Sequence, residues 1–305
     1  HIWIQPPSKN DGGNSEILAN INPALRGDTK VSLNNISGEI KAGDWVVIKM
    51  TDNSPNNDLR KHVTVMADGL SEDQVVESGI IENRRVYWPV KIREISGNQL
   101  TLWQPLKNDI RTIWQPEVRK YVWLAEVGIE NLTVDFPEDR HKVHGHSPDD
   151  TSYDEKIYNG ISIEGVLNGW IRNVRLKNVQ NGIDIDELTS HLTIREITVI
   201  GKKTGAYETI NGLRPYGHHG IGFNGSQDSL IEYCSIPKSF RHDITIYHLA
   251  SGNVTRKCSG EHIAIDHHTR YPYGNLFSDI NVGSKLATGI NRDINWSYSG
   301  GPQNT

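Results

Sequence analysis

The residues best suited to acid–base chemistry crowd into the last third of the chain. Of 13 histidines, only His1 and His62 precede residue 140, whereas His218, His219, His242, His248, His262, His267 and His268 fall close together. Arg214, Arg241, Arg270, Asp243, Asp266, Tyr247, Tyr271 and Tyr273 share that stretch. An imidazole or phenol can remove a proton beside a sugar carboxylate near neutral pH. Guanidinium groups such as Arg241 and Arg270 can hold the charge that develops, and Asp243 or Asp266 can orient a histidine as the acid of a triad does. The sequence-level site is therefore His218, Arg241, Asp243, His262, Asp266, His268 and Arg270 for catalysis, with Tyr216, Asn224, Tyr247 and Tyr271 as substrate contacts.

Such a site needs elements that bring distant residues side by side, and a repeat supplies them. Asn159-Gly160-Ile161-Ser162-Ile163-Glu164 returns as Asn181-Gly182-Ile183-Asp184-Ile185-Asp186 and as His219-Gly220-Ile221-Gly222-Phe223-Asn224. His242-Asp243-Ile244-Thr245-Ile246-Tyr247 and Glu261-His262-Ile263-Ala264-Ile265-Asp266 continue it, and Thr288-Gly289-Ile290-Asn291 is a shorter echo. A second strand follows each unit, as in Ile129–Val134, Ile171–Leu176, Ile194–Val199, Ile231–Ile236 and Phe277–Val282. Alternation of period two marks half-buried strands. Short strands repeating every 20–25 residues or so, with no helix between them, predict an all-β, right-handed parallel β-helix. The Leu consensus of a leucine-rich repeat is absent. Residues 126–305 are assigned to these coils. Residues 1–125 are assigned to opening coils plus an N-terminal or inserted β-rich subdomain, with strand pairs in Val31–Met50 and Val86–Leu106 and a loop over Thr51–Arg85.

Stacking the repeats on their first isoleucines (161, 183, 221, 244, 263 and 290) gives a map of the outer face. One outward column is Ser162, Asp184, Gly222, Thr245 and Ala264, and a second is Glu164, Asp186, Asn224, Tyr247 and Asp266. A third is Gly160, Gly182, Gly220, Asp243 and His262. The map makes Asp243 and His262 lateral neighbours, and likewise Tyr247 and Asp266. His219, His242, His248 and His267 take inward parity, as members of a corner ladder with Asn159 and Asn181 or as structural residues. Cys234 and Cys258 share an inward column between Ile197 and Ile280. They stand near enough for a disulfide, and a buried thiol pair is the other reading.

Two metal readings arise. His141, His144, His146, Asp149 and Asp150 have spacings open to zinc, although Pro148 and the lack of a regular element favour a solvated loop. Glu164, Asp184 and Asp186 offer hard oxygen ligands, so calcium is a possible cofactor; a solvated acidic face is the preferred reading, and no metal is assigned. The 8 Trp and 11 Tyr against 4 Phe suit sugar rings, which stack on aromatic faces. Trp88, Trp103, Trp114 and Trp123 fall in the β-rich part, as packing or as a groove rim.

Composition narrows the classes. The 305 residues carry a formal net charge of −5, which excludes a broad basic surface for nucleic acid. No apolar run approaches the roughly 20 residues of a membrane-spanning helix. Hydrophobic residues make up only 36%, with 28 Gly, a mixture poor for helices and rich in turns. With 2 Cys this is no disulfide scaffold. His1 opens directly on polar, Pro-containing sequence, as a processed chain would, and Ser299–Thr305 brings no obvious cap for the last coil.

The Asn-Gly-Ile-x-Ile unit backed by Ile-x-Asn-Val-x-Leu resembles the pectate-lyase-like parallel β-helix superfamily. Arg241-His242-Asp243 before Ser251-Gly252-Asn253-Val254 is similar to a coil of those enzymes, as is Asp266-His267-His268 before Gly274-Asn275-Leu276-Phe277. The resemblance spans about Val127–Asn291. It implies a secreted, cell-surface or periplasmic protein that acts on an extended, uronate-containing polysaccharide through a groove on the outer strand faces. Superfamily members include polysaccharide lyases, glycoside hydrolases, carbohydrate esterases and phage tailspikes. The stacked Asp-Asp, Gly-His and Arg-x-Lys motifs of polygalacturonases and the pectate-lyase calcium motif are not found. The leading expectation is β-elimination by the His/Arg groups. A hydrolase using Asp243 with Asp266 comes second, and a non-enzymatic adhesin or tailspike solenoid third.

Overall fold

The β-branched runs stack as coils. In the computed structural model, residues 1–7, 15–53, 58–64, 85–137, 158–201, 216–238, 240–267, 272–283 and 294–295 are described. The chain folds as two compact units, one of His1–Gln5 with Leu124–Thr305 and one of Pro6–Trp123.

The larger unit is a right-handed parallel β-helix. Its first sheet stacks Ile2–Ile4, Asn159–Ile163, Asn181–Ile185, His219–Asn224, His242–Tyr247, Ile265–His267 and Ile294–Asn295, all parallel. A second sheet stacks Gly128–Asp135, Trp170–Val179, Thr193–Gly201 and the shorter strands after them. The third face begins as Leu124–Ala125 on Val166–Leu167 and continues as single bridges through Ser190, Gln227, Ser251 and Tyr273.

Each coil turns at left-handed residues. Asn131, Asn173, Glu196, Tyr233, Lys257 and Asp279 form one such column, with φ between 50 and 59°. Glu126, Asn168, His191, Asp228, Gly252 and Gly274 form another. Asn, Asp and Gly tolerate this conformation best, which explains the unusual composition. Inside, Ile161, Ile183, Ile221 and Ile244 are at most 2% exposed, and burying each such side chain contributes about 1.5–3 kcal/mol. Cys234 and Cys258 continue the row after Ile197 as buried free thiols, each bonded to a backbone carbonyl, Glu232 O and Arg256 O, at 3.3 Å.

The map from sequence needs one correction: Ile244 pairs with Ile265, not Ile263. A shift of two residues leaves the same side chains facing inward, so the hydrophobic pattern cannot detect it. Thr245 therefore neighbours Asp266, and Ala264 follows Asp243. Ile263 is still buried, at the corner, with its N–H on Val282 O. Ile294 is the next partner of Ile265, while Ile290 lies outside the described residues.

The smaller unit is an antiparallel barrel. Ile17–Ile21, Lys30–Asn34, Gln99–Leu102, Arg85–Ser96, Trp45–Thr51 and Glu117–Arg119 close on one another in that order. Trp88, Trp114, Ile48, Met50 and Leu100 fill it. Trp88 and Trp114 are thus core, whereas Trp103 is 58% exposed under the guanidinium of Arg93. The expected loop over Thr51–Arg85 contains a helix, Asp58–Thr64. Its first-turn Asp58 accepts the Trp114 indole N–H at 2.9 Å, which pins the helix to the buried tryptophan. Among the described residues before Leu124, only the strand Ile2–Ile4 pairs within the β-helix.

Candidate functional site

The outer face of the first sheet carries a polar cluster, and glycine sets its geometry. A Cβ on Gly160 or Gly182 would meet the carbonyl oxygen of the next rung at 2.3 or 2.2 Å and core side chains at 2.7 or 2.6 Å. Gly220 would meet Asp243 O at 2.3 Å. These positions therefore face inward, and the residue before each glycine turns outward. His219 and His242 thus leave their expected inward places and stand on the outer face. The corner ladder exists beneath them: Asn181 Nδ2 donates to Asn159 Oδ1 at 2.7 Å, and the His219 N–H donates to Asn181 Oδ1 at 3.2 Å.

Asp243 takes the fourth place in the glycine column, fully buried. Its carboxylate accepts the N–H groups of Phe240 at 2.7 Å and Ala264 at 2.8 Å. It fixes the corner and the register and is not on the outer face. His262 sits before the strand, bridged to Gly283, and is not a neighbour of Asp243. His267 is fully buried, edge-on to Phe277 at 5.3 Å. Burial pushes its pKa down to about 4, against the pull of Asp266, so it packs as a neutral ring. His248, in the left-handed region at φ 55°, lies against Tyr247 at 4.9 Å. The backbone N–H of Arg241 is bonded to Gly217 O at 2.9 Å. His268, Arg270, Tyr271, Arg214 and the His141–Asp150 run lie outside the described residues.

What the fold does bring together is a stack of three histidines, one of them paired with Asp266. The rings of His219 and His242 lie 5.1 Å apart at 23°, with His218 at 4.1 Å from His219 and 5.4 Å from His242. His219 Nδ1 is 3.1 Å from Thr245 Oγ1. His242 Nδ1 is 2.7 Å from Asp266 Oδ2, and that aspartate is 1% exposed. Such a carboxylate fixes the tautomer and leaves the second ring nitrogen as the base.

Asp184 and Asp186 lie two residues apart on one strand, hence on one face. Asp186 accepts hydrogen bonds from Ser162 Oγ at 2.8 Å and Asn224 Nδ2 at 2.6 Å, one on each oxygen. Asp184 is different. Burial of its carboxyl, and secondly the neighbouring Asp186, push its pKa up to about 7, while a hydrogen bond from the Tyr247 hydroxyl works the other way. Gly222 makes room for that bond: a Cβ there would lie 3.2 Å from Asp184 Oδ1 and 3.5 Å from a Tyr247 ring carbon. One carboxyl keeps its proton near neutrality beside one that is held by donors. A carboxyl whose proton affinity is raised toward neutrality, with a second carboxyl beside it, is a candidate general acid.

The sequence map gives Glu164, Asp184 and Asp186 as a solvated acidic face or calcium ligands, and it misses the raised proton affinity of Asp184. The available signal was the Asp-x-Asp facing a Gly in the next coil. Among the described residues no group of three His, Cys, Asp or Glu side chains is placed to hold a metal ion, and no helix is long and apolar enough to cross a membrane.

No protein-family model matches the chain, and no curated protein matches it. The chain is similar in fold to a phage tailspike. The likeness is to gp49 of Pseudomonas phage LKA1, with TM-score 0.57 and 15% identity over 92% of this chain and 40% of that one. Weaker matches are the gp54 tailspike of Acinetobacter baumannii bacteriophage AP22, solved with a capsular saccharide, and gp61 of Pseudomonas phage phi297. Their TM-scores are 0.33 and 0.29 and their identities 10% and 12%; they cover 87% and 89% of this chain and 46% and 61% of theirs. The chain thus spans less than two thirds of each tailspike.

Proposed function

We propose that this β-helix is an extracellular, carbohydrate-active enzyme of the pectate-lyase-like kind, cleaving an extended polysaccharide by general acid hydrolysis on the outer face of its first sheet. The observation that carries this reading is Asp184, whose carboxyl stands beside Asp186 and takes a hydrogen bond from Tyr247, with its pKa pushed up to about 7 by burial and by Asp186. A glycosidic oxygen needs a proton as it leaves, and a second carboxylate must assist from across the sugar. Asp184 supplies the first function and Asp186 the second. The coil pattern of residues 159–186 and the tailspike-like fold support a surface that runs along a polymer.

β-Elimination is the second reading, favoured by the His242–Asp266 contact of 2.7 Å. In it, His242 takes the proton beside a uronate carboxylate. Both readings are tested by incubating the protein with a panel of capsular and uronate polysaccharides. Hydrolysis releases reducing ends without ultraviolet absorbance from an unsaturated product, and Asp184→Asn reduces that release by about 10²–10⁴-fold. Unsaturated product from the wild type, kept in Asp184→Asn and lost in His242→Gln, would transfer the activity to the second reading.

A further inference from the structure

At the corner where the second sheet hands the chain to the first, a cavity of about 750 Å³ opens between Asp135, Phe136, Lys177, Asn178, Tyr216 and Lys238. Its volume falls within the roughly 300–1,000 Å³ of small-ligand sites. Two aromatic rings form its walls. Phe136 is stacked on Tyr158 at 4.9 Å and 17°, which fixes the plane of its ring. Tyr216 reaches the strand end because Gly201 has no side chain: a Cβ there would meet Tyr216 O at 2.6 Å. Asn178, left-handed at φ 57°, bends the strand end and donates to Asp135 Oδ1 at 3.0 Å and to Phe136 O at 2.9 Å.

Two ammonium groups join these walls. Lys238 Nζ stands 5.8 Å from the Tyr216 ring centroid and 3.1 Å from Glu261. Lys177 Nζ is 2.5 Å from Asp135 Oδ2. Exposed ion pairs of this kind hold a side chain only weakly, so either lysine can turn to a ligand at little cost. Lys238 faces Glu261 and Lys177 faces Asp135, so the four charges balance at rest, and an acidic ligand gains an ammonium group when either lysine turns from its carboxylate. Flat aromatic walls accept the apolar face of a sugar ring, and the ammonium groups select a charge.

We infer that this cavity is a binding subsite for a carboxylate-bearing sugar, placed at the coil corner between Tyr216 and Lys238 and used to anchor the polysaccharide whose backbone is cut on the first sheet. The inference rests on the polysaccharide reading, and its test is independent of cleavage. Titration calorimetry would follow galacturonate trimers, and neutral maltotriose, binding to the full chain carrying Asp184→Asn. The expected result is binding of the acidic trimer that weakens about tenfold on adding Lys238→Gln or Tyr216→Ala, and more in the Lys177→Gln, Lys238→Gln double variant, with maltotriose at least tenfold weaker throughout. Equal binding of both sugars, unchanged affinity in the lysine variants, or no binding of the acidic trimer would overturn it. Intact subsite binding in a protein that releases no product from any polysaccharide would sink the enzyme and leave the subsite standing.

Discussion

Asp266 Oδ2 stands 2.7 Å from His242 Nδ1 across the step between neighbouring coils. The contact exists because Asp266 lies beside Thr245 and not beside Tyr247, and because the following Asp243 faces inward and leaves His242 outside. Replacing Asp266 with Asn keeps the shape but removes a charged acceptor from a site 1% open to solvent. The expected cost is about 1–3 kcal/mol of stability, read as a lower urea midpoint with an unchanged slope. A midpoint equal to that of the wild type would show that the pair contributes nothing to the fold.

The glycines of the first sheet have unequal tolerance. Gly182→Ala would drive a methyl to 2.2 Å from Gly220 O, backbone that cannot yield without unstacking the coil. A loss of more than about 2 kcal/mol is expected, within the range of overpacking. Gly222→Ala meets its nearest neighbour, Asp184 Oδ1, at 3.2 Å. It should fold, with the Tyr247–Asp184 bond disturbed. Thermal unfolding of the two variants side by side decides this, and equal melting temperatures would refute the inward placement of Gly182.

Much of this architecture was legible in the residues, and the misreadings share a physical cause. The isoleucines at 161, 183, 221 and 244 stack as their spacing implies, because a period-two pattern with one buried face specifies which side chains face inward. It does not separate Ile263 from Ile265, which differ by one full period. Strict alternation also fails at Asn-Gly, where close approach of successive backbones puts glycine inside. That failure misassigned His219, His242 and Asp243 together. The raised proton affinity of Asp184 was not legible, because it comes from burial of the carboxyl and from Asp186 beside it, with Tyr247 acting against them, a property of the packed coils and not of the repeat pattern.

Cys234 and Cys258 are each 2% exposed in one interior row; the hydrogen bond with Cys258, and then burial, raise the Cys234 thiol well above its ordinary range, while the bond to Cys234 lowers Cys258. Thiolate, not thiol, attacks disulfide reagents. Because both thiols are closed to solvent, neither should react with Ellman's reagent in the native protein, and both should react in guanidinium. Prompt reaction of one thiol under native conditions would mean that this row opens to solvent.

The proton on Asp184 has a consequence for stability with a definite sign. Its pKa is raised from 3.8 to about 7 on folding, so between those values the native state binds a proton that the unfolded chain has released. Stability then falls as pH rises through this window, and above pH 7 the full penalty of a buried charge is present, on the order of a few kcal/mol. Asp184→Asn removes the titrating group. The variant should be more stable than the wild type at pH 8, nearly equal to it at pH 4, and without the downward slope between. Activity should fall across the same upper limb, since hydrolysis needs the protonated acid. Parallel denaturation curves of wild type and Asp184→Asn from pH 4 to pH 8 would separate this from a general effect of charge; coincident pH dependence in the two proteins would place the neutral-range proton elsewhere.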